Sequence, residues 1–106
     1  MKSVLFTGVA GLLALSSYAM AATSAPGHYS GDRYATQAKI TLEQAQAITL
    51  KARPGTVTDE ELEKEKGGSG LRYSFDIKVG DITFEVGIDA KTGVVLENAA
   101  EGKNPD

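Results

Sequence analysis

The sequence predicts an α+β fold, with one N-terminal helix packed on one face of a three- to four-stranded antiparallel sheet in the order helix, strand, strand, strand, short strand. Three observations predict it. Residues 42–52 repeat apolar side chains at near-helical spacing, residues 71–88 alternate apolar and polar on either side of Gly80-Asp81, and a glycine-terminated turn at 89–93 precedes a short apolar run. The apolar period therefore changes once, from 3.6 to 2, and each element must bury its apolar face on another.

The helix opens at Thr41-Leu42-Glu43-Gln44, a capping box in which the threonine oxygen accepts from the backbone of Gln44 and the glutamine reaches back. Leu42, Ala45, Ile48 and Ala52 then make one apolar stripe. Pro54-Gly55 ends the helix, because the residue before proline avoids the helical region and glycine turns the chain.

The next stretch, TVTDEELEKEKGG (residues 56–68), has the cap and charges of a polar helix, but Leu62 is its only apolar residue between Thr58 and Lys66. A short helix without an apolar face is not held down. The stretch is therefore expected to be a charged outer strand, joined to the next through a flexible Gly67-Gly68-Ser69-Gly70 loop that places Lys66 opposite Leu71. Leu62 then faces Phe75, Glu65 faces Arg72 and Asp59 faces Lys78. Val57 falls on the other parity, so either a bulge precedes Leu62 or the strand begins after Val57.

From Leu71 to Asp89 the alternation predicts two strands around a two-residue, glycine-first turn, with Val79 facing Ile82, Ile77 facing Phe84, Phe75 facing Val86 and Tyr73 facing Ile88. A slip of one residue would turn one strand's apolar set to water. Asp89-Ala90-Lys91-Thr92-Gly93 is a second turn, Val94-Val95-Leu96 a short closing strand, and the chain after Glu97 a polar, frayed end.

Four segments follow: 1–21 a signal peptide, 22–39 a flexible leader, 40–98 the α+β domain and 99–106 a flexible tail. The signal rests on Met1-Lys2, the apolar run Val4–Leu15 and an Ala19-Met20-Ala21 site, with cleavage expected after Ala21 and a periplasmic or secreted mature chain without a stable membrane anchor. The 106-residue chain has no cysteine, which removes a lipid-bearing thiol, disulfides and thiol redox chemistry and leaves the small domain to hold by core packing. The net charge of −3 argues against nucleic acid and anionic lipid as partners.

Little catalytic chemistry is available to such a chain. Its single histidine, His28, falls in the leader with no cysteine to join it, so no nucleophile–base pair or metal-ligand set is expected, nor any cofactor. The glycine-rich loop lacks the lysine and following helix of a phosphate cradle. One constellation stands out: in the expected register Glu61 faces Asp76 and Asp76 faces Glu85, a row of carboxylates across three strands. Like charges directly opposite one another are destabilising, so either Arg72 and Lys78 relieve them on the diagonals or the row meets a cation or a basic partner. A flat sheet face offers few of the six to eight oxygens that Ca²⁺ takes. A sheet edge that adds an extended peptide is a second route to a partner.

The chain resembles the PepSY domain family. The resemblance rests on ITLEQAQAITLKARPG (40–55) as opening helix, the charged strand ending ELEKEKGG (61–68), LRYSFDIKVGDITFEVGIDAKTGVVL (71–96), and within it DAKTGVVL (89–96) as closing turn and strand. It implies a non-catalytic module of the kind found in propeptides of secreted metallopeptidases and in stand-alone exported proteins, with a role in restraining peptidases. This chain carries no peptidase domain, so the expected partner is a separate peptidase or another envelope protein. The alternatives are cation or small-ligand binding through the acidic face, and a structural or sensor component of the envelope.

Overall fold

The computed structural model describes residues 28–102; the expected signal peptide and its cleavage site, residues 22–27 of the leader, and residues 103–106 lie outside them. Helix α1 (Leu42–Ala52) precedes strands β1 (Thr56–Lys64), β2 (Leu71–Val79), β3 (Ile82–Asp89) and β4 (Val95–Ala100). The strands form one antiparallel sheet in the order β1-β2-β3-β4. Among the described residues no helix is long and apolar enough to cross a membrane.

Helix α1 begins as its sequence dictates: the Gln44 backbone N–H donates to Thr41 Oγ1 at 3.0 Å, and the Thr41 N–H donates to Gln44 Oε1 at 2.8 Å. Its buried face is Leu42, Ala45 and Thr49, with Ile48 half-buried, and it lies over β2, β3 and β4. Ala52, expected in the stripe, is exposed. Beyond it Arg53 takes up the space beside the sheet, its guanidinium 3.8 Å from the centre of the Phe84 ring and its Nε donating to Asn98 Oδ1 at 3.0 Å, while Asn98 Nδ2 donates to Ala52 O at 3.4 Å. Across the sheet the core consists of Leu62, Leu71, Tyr73, Phe75, Ile77, Val86 and Ile88.

All four expected β2–β3 pairs are present, from Tyr73 opposite Ile88 to Val79 opposite Ile82, and Gly80 takes φ 63° in the turn. The β1–β2 register differs. Lys64, not Lys66, faces Leu71, which puts Leu62 opposite Tyr73, Glu63 opposite Arg72, Glu61 opposite Ser74 and Asp59 opposite Asp76. The loop begins two residues earlier than expected, since Glu65 N–H donates to Gly70 O. A shift of two preserves the faces of a strand of period two, so Leu62 remains in the core. Of the two alternatives for Val57, the bulge is the one present: it lies between Val57 and Asp59 and brings Val57 to the core side opposite Ile77.

Residues 28–39 are not a free leader. Leu62 N–H donates to Ser30 O at 2.8 Å, giving a parallel bridge between Ser30 and Glu61, and a 3-10 helix follows over Asp32–Gln37. Lys39 and Ile40 N–H both donate to Ala90 O, and Tyr73 OH donates to Ile40 O at 2.9 Å. Tyr29, Tyr34, Ala38 and Ile40 pack on the core. The reason is area: α1 sits over the β2–β4 side, and the apolar surface of Leu62 and Tyr73 needs a second cover. The expected fraying after Glu97 is also corrected, because β4 continues to Ala100 by pairing Ala99 with Glu85 and Ala100 with Phe84.

Candidate functional site

The face of the sheet opposite α1 is built from the polar parity of each strand. Register sets its rows: Asp59, Asp76, Glu85 and Ala99 across the four strands; Glu61, Ser74, Gly87 and Glu97; then Glu63, Arg72 and Asp89. Asp76 and Glu85 are opposite each other as the alternation requires. Glu61 lies one row away from them, and Asp59 takes the place expected for it. The three expected residues still share one concavity of about 290 Å³, lined also by Asp59, Glu63, Glu65, Ser74 and Glu101.

The carboxylates act on one another. Glu61 shares a hydrogen bond with Glu63, is partly desolvated and feels the charges of Glu63, Asp59 and Glu85, which together push its carboxyl up to about 7. Partial burial raises Asp76, with Asp59 adding to it, and raises Glu85, with Glu97 and Asp76 adding to it. Ser74 Oγ donates to Glu63 Oε2 at 2.7 Å, which fixes one member of the Glu61–Glu63 pair.

The two cations that one of the alternatives set on the diagonals are elsewhere. Arg72 runs across Gly87 and places Nη1 3.4 Å from Glu97 Oε1, while Lys78 is exposed between Thr56 and Thr83. Gly87 is what permits the first of these, because a Cβ there would lie 2.9 Å from Arg72 Cδ. Neither ion pair of the described residues, His28–Asp32 or Arg72–Glu97, involves Asp59, Glu61, Asp76 or Glu85. No three or more His, Cys, Asp or Glu among the described residues are grouped so as to hold a metal ion. Chemically the face can attract positive charge and take up a proton near neutrality.

One structural position that shapes the face escaped sequence reasoning. Asp89, in the closing turn, is 1% exposed and accepts from Lys91 N–H at 2.8 Å, Thr92 N–H at 3.0 Å, Ser69 Oγ at 2.9 Å and Ser69 N–H. Burial alone would raise its carboxyl, but these four bonds overcome it and hold Asp89 at about 2. Gly68 lies against it so closely that a Cβ would meet Asp89 Oδ2 at 2.3 Å. The loop between β1 and β2 is thus clamped to the turn between β3 and β4, which is why it begins two residues early and why Glu61 leaves the expected row. The available signal was the Asp-x-x-Thr-Gly spacing, since an aspartate that opens a turn commonly accepts from the backbone two and three residues on.

No curated protein and no solved structure matches the chain. The family model described as "Peptidase propeptide and YPEB domain" matches residues 39–98, a span that takes in α1, all of β1–β3 and the first four residues of β4. That match covers more than half of the 106-residue chain, and the chain belongs to the PepSY family.

Proposed function

We propose that the chain is an exported, non-catalytic PepSY module that binds and restrains a peptidase, or engages another envelope protein, in trans, with Glu61, Asp76 and Glu85 in its docking face. Membership in a family of propeptide-like regulatory modules supports the binding role. The observation that supports the surface assignment is the acidic face: Asp59, Glu61, Asp76 and Glu85 stand on the sheet opposite or beside one another, and among the described residues neither ion pair reaches them, the nearest arginine being engaged by Glu97. Such an arrangement costs stability within the module and recovers it when positive charge arrives. The N-terminal signal pattern supports a periplasmic or secreted site of action.

The test is inhibition of a panel of secreted metallopeptidases, read with a fluorogenic substrate against increasing concentrations of the purified chain. Saturable inhibition that weakens about tenfold in the Asp76→Asn, Glu85→Gln double variant is expected from two lost charge contacts of roughly 0.5–1 kcal/mol each. Inhibition and binding that are unchanged in that variant would remove the acidic face from the proposal. No inhibition of any peptidase, with Ca²⁺ binding seen by calorimetry, would instead favour a cation-binding role.

A further inference from the structure

We propose that the outer edge of β4 docks an extended, basic peptide segment of another protein, which adds to the sheet as a fifth strand. The inference rests on the binding-module reading and names the edge and the chemistry of the segment it takes. It begins from the unequal treatment of the two sheet edges. β1 carries Asp59, Glu60, Glu61, Glu63 and Lys64, is bulged between Val57 and Asp59, and is bridged from outside by Ser30. Charge, bulging and covering are the devices by which natural sheets keep foreign strands off. β4 has a single charge, Glu97, in its six residues, and among the described residues no strand or loop pairs beyond it. Asn98, Ala99 and Ala100 are exposed, and Val94 and Val95 at its start are 55% and 40% exposed.

The hydrogen-bonding groups on that edge follow from the ladder. Glu101 N–H donates to Thr83 O at 2.9 Å, and the same register continues through Ala100 opposite Phe84 and Ala99 opposite Glu85. Antiparallel pairs alternate between bonded and non-bonded, so Glu97 and Ala99 turn their backbone groups toward β3, while Asn98 and Ala100 turn theirs outward. Two residues therefore offer N–H and C=O groups to an added strand in regular spacing.

The acidic face selects the occupant. A residue of the added strand opposite Ala99 projects its side chain over that face, and the methyl group of Ala99 leaves a path to Glu85 on β3. The molecule already contains the mirror of this crossing: Arg72 leaves β2, passes over the bare Gly87 of β3 and reaches Glu97 on β4. A lysine or arginine opposite Ala99 would pass over one small residue to reach a glutamate one strand further, as Arg72 does. On the other face, where Arg53 already covers the Phe84 ring, the residue opposite Ala100 lies toward the 49%-exposed Ile82. The fitting segment alternates basic and apolar side chains.

The probe is a fluorescein-labelled seven-residue peptide of alternating valine and lysine, with an alternating valine and glutamate peptide as its match, titrated into the purified chain by anisotropy. The lysine peptide is expected to bind at least about tenfold tighter, with the preference shrinking as salt screens the face. Ala100→Pro removes one outward N–H while sparing the β3 ladder, and is expected to weaken binding about tenfold with an unchanged circular dichroism spectrum. Amide shift mapping on the unmodified chain gives a reading that does not depend on that variant folding: perturbations centred on Asn98 and Ala100 support the proposal, and perturbations on β1 overturn it. Equal affinity for the two peptides overturns it as well, as does a concentration-dependent dimer abolished by Ala100→Pro, which would assign the edge to a second copy. If a peptidase is inhibited while the lysine peptide does not bind, the edge assignment fails and the binding-module reading stands.

Discussion

Replacing Asp89 by asparagine keeps the shape of a side chain that is 1% exposed and removes its charge and one acceptor. Oδ1 accepts from Ser69 Oγ, Lys91 N–H and Thr92 N–H, and an amide oxygen can retain those three bonds. Oδ2 accepts from the Ser69 N–H, and there the amide places a second donor against a donor. The loss is one charge-assisted bond plus the weakening of three others, about 2 kcal/mol. Asp89→Ala removes every acceptor and is expected to cost about 3–4 kcal/mol, moderated because water can reach the amides of the exposed Ser69, Lys91 and Thr92. A domain of this size has only a few kcal/mol of stability in all, so the alanine variant should be largely unfolded at room temperature.

Linkage supplies an independent magnitude. The Asp89 carboxyl is lowered from 3.8 to about 2, so its contribution is fully present above the unfolded value and is lost as pH falls through the folded one. The shift corresponds to about 2 kcal/mol at neutral pH, falling to roughly half of that at pH 3. Urea unfolding followed by far-ultraviolet circular dichroism at pH 7 and pH 3 measures both effects. The asparagine variant should trail the parent by about 2 kcal/mol at pH 7 and by about half as much at pH 3. A variant within 0.5 kcal/mol of the parent at pH 7, or a difference that does not change with pH, would refute the clamp.

Two further perturbations test the acidic face and the helix. Because the folded Glu61 carboxyl is raised to about 7, the stability it lends when protonated is complete below its unfolded value near 4.5 and is lost as pH rises through about 7. The parent should lose about 1–2 kcal/mol between pH 5 and pH 8 once solvent screening is allowed for, and Glu61→Gln should remove most of that slope in urea midpoints; an unaltered slope would mean the Glu61–Glu63 pair is not its source. Thr49 is 0% exposed and its Oγ1 has no hydrogen-bond partner among the described residues, so Thr49→Val should raise stability by about 1 kcal/mol. Destabilisation by more than 0.5 kcal/mol in thermal or urea melts would show that the hydroxyl is satisfied in solution.

Local pattern was sufficient wherever an element is specified by its own neighbours. The central hairpin is legible in full because a two-residue turn and strict alternation leave one register, and the Thr41–Gln44 box is legible because both partners lie within one turn of helix. The β1–β2 register was not, because the residue that sets it, Asp89, is 20 positions from its loop partner Ser69. Residues 28–39 have no period to detect: Tyr29 and Tyr34 are isolated aromatics whose burial depends on the half of the sheet that α1 leaves uncovered. β4 runs past its sequence signal because Glu97-Asn98-Ala99-Ala100 has little β propensity of its own and is a strand only through pairing with β3. Of the acidic constellation, the Asp76–Glu85 contact was legible from the hairpin, while the row assigned to Glu61 inherited the register error.

The placement of charge on the two faces and two edges follows one physical logic. A sheet that needed only to be soluble would intersperse cations among Asp59, Glu61, Asp76 and Glu85, since like charges on facing strands cost stability and opposite charges restore it. Instead Lys64 and Lys66 stand at the loop end of the first hairpin and Lys78 near its other end, with Arg72 turned to Glu97. The repulsion is confined to the middle of the face, on strands whose register is held from elsewhere: by the apolar pairs beneath β2 and β3, and by the Asp89 clamp that closes β1 against β2. A fold that is locally consistent almost everywhere and inconsistent at one surface is the pattern expected when that surface serves something other than folding. The clamp and the acidic face are therefore coupled: the loop that Asp89 holds sets where Glu61 and Asp59 stand.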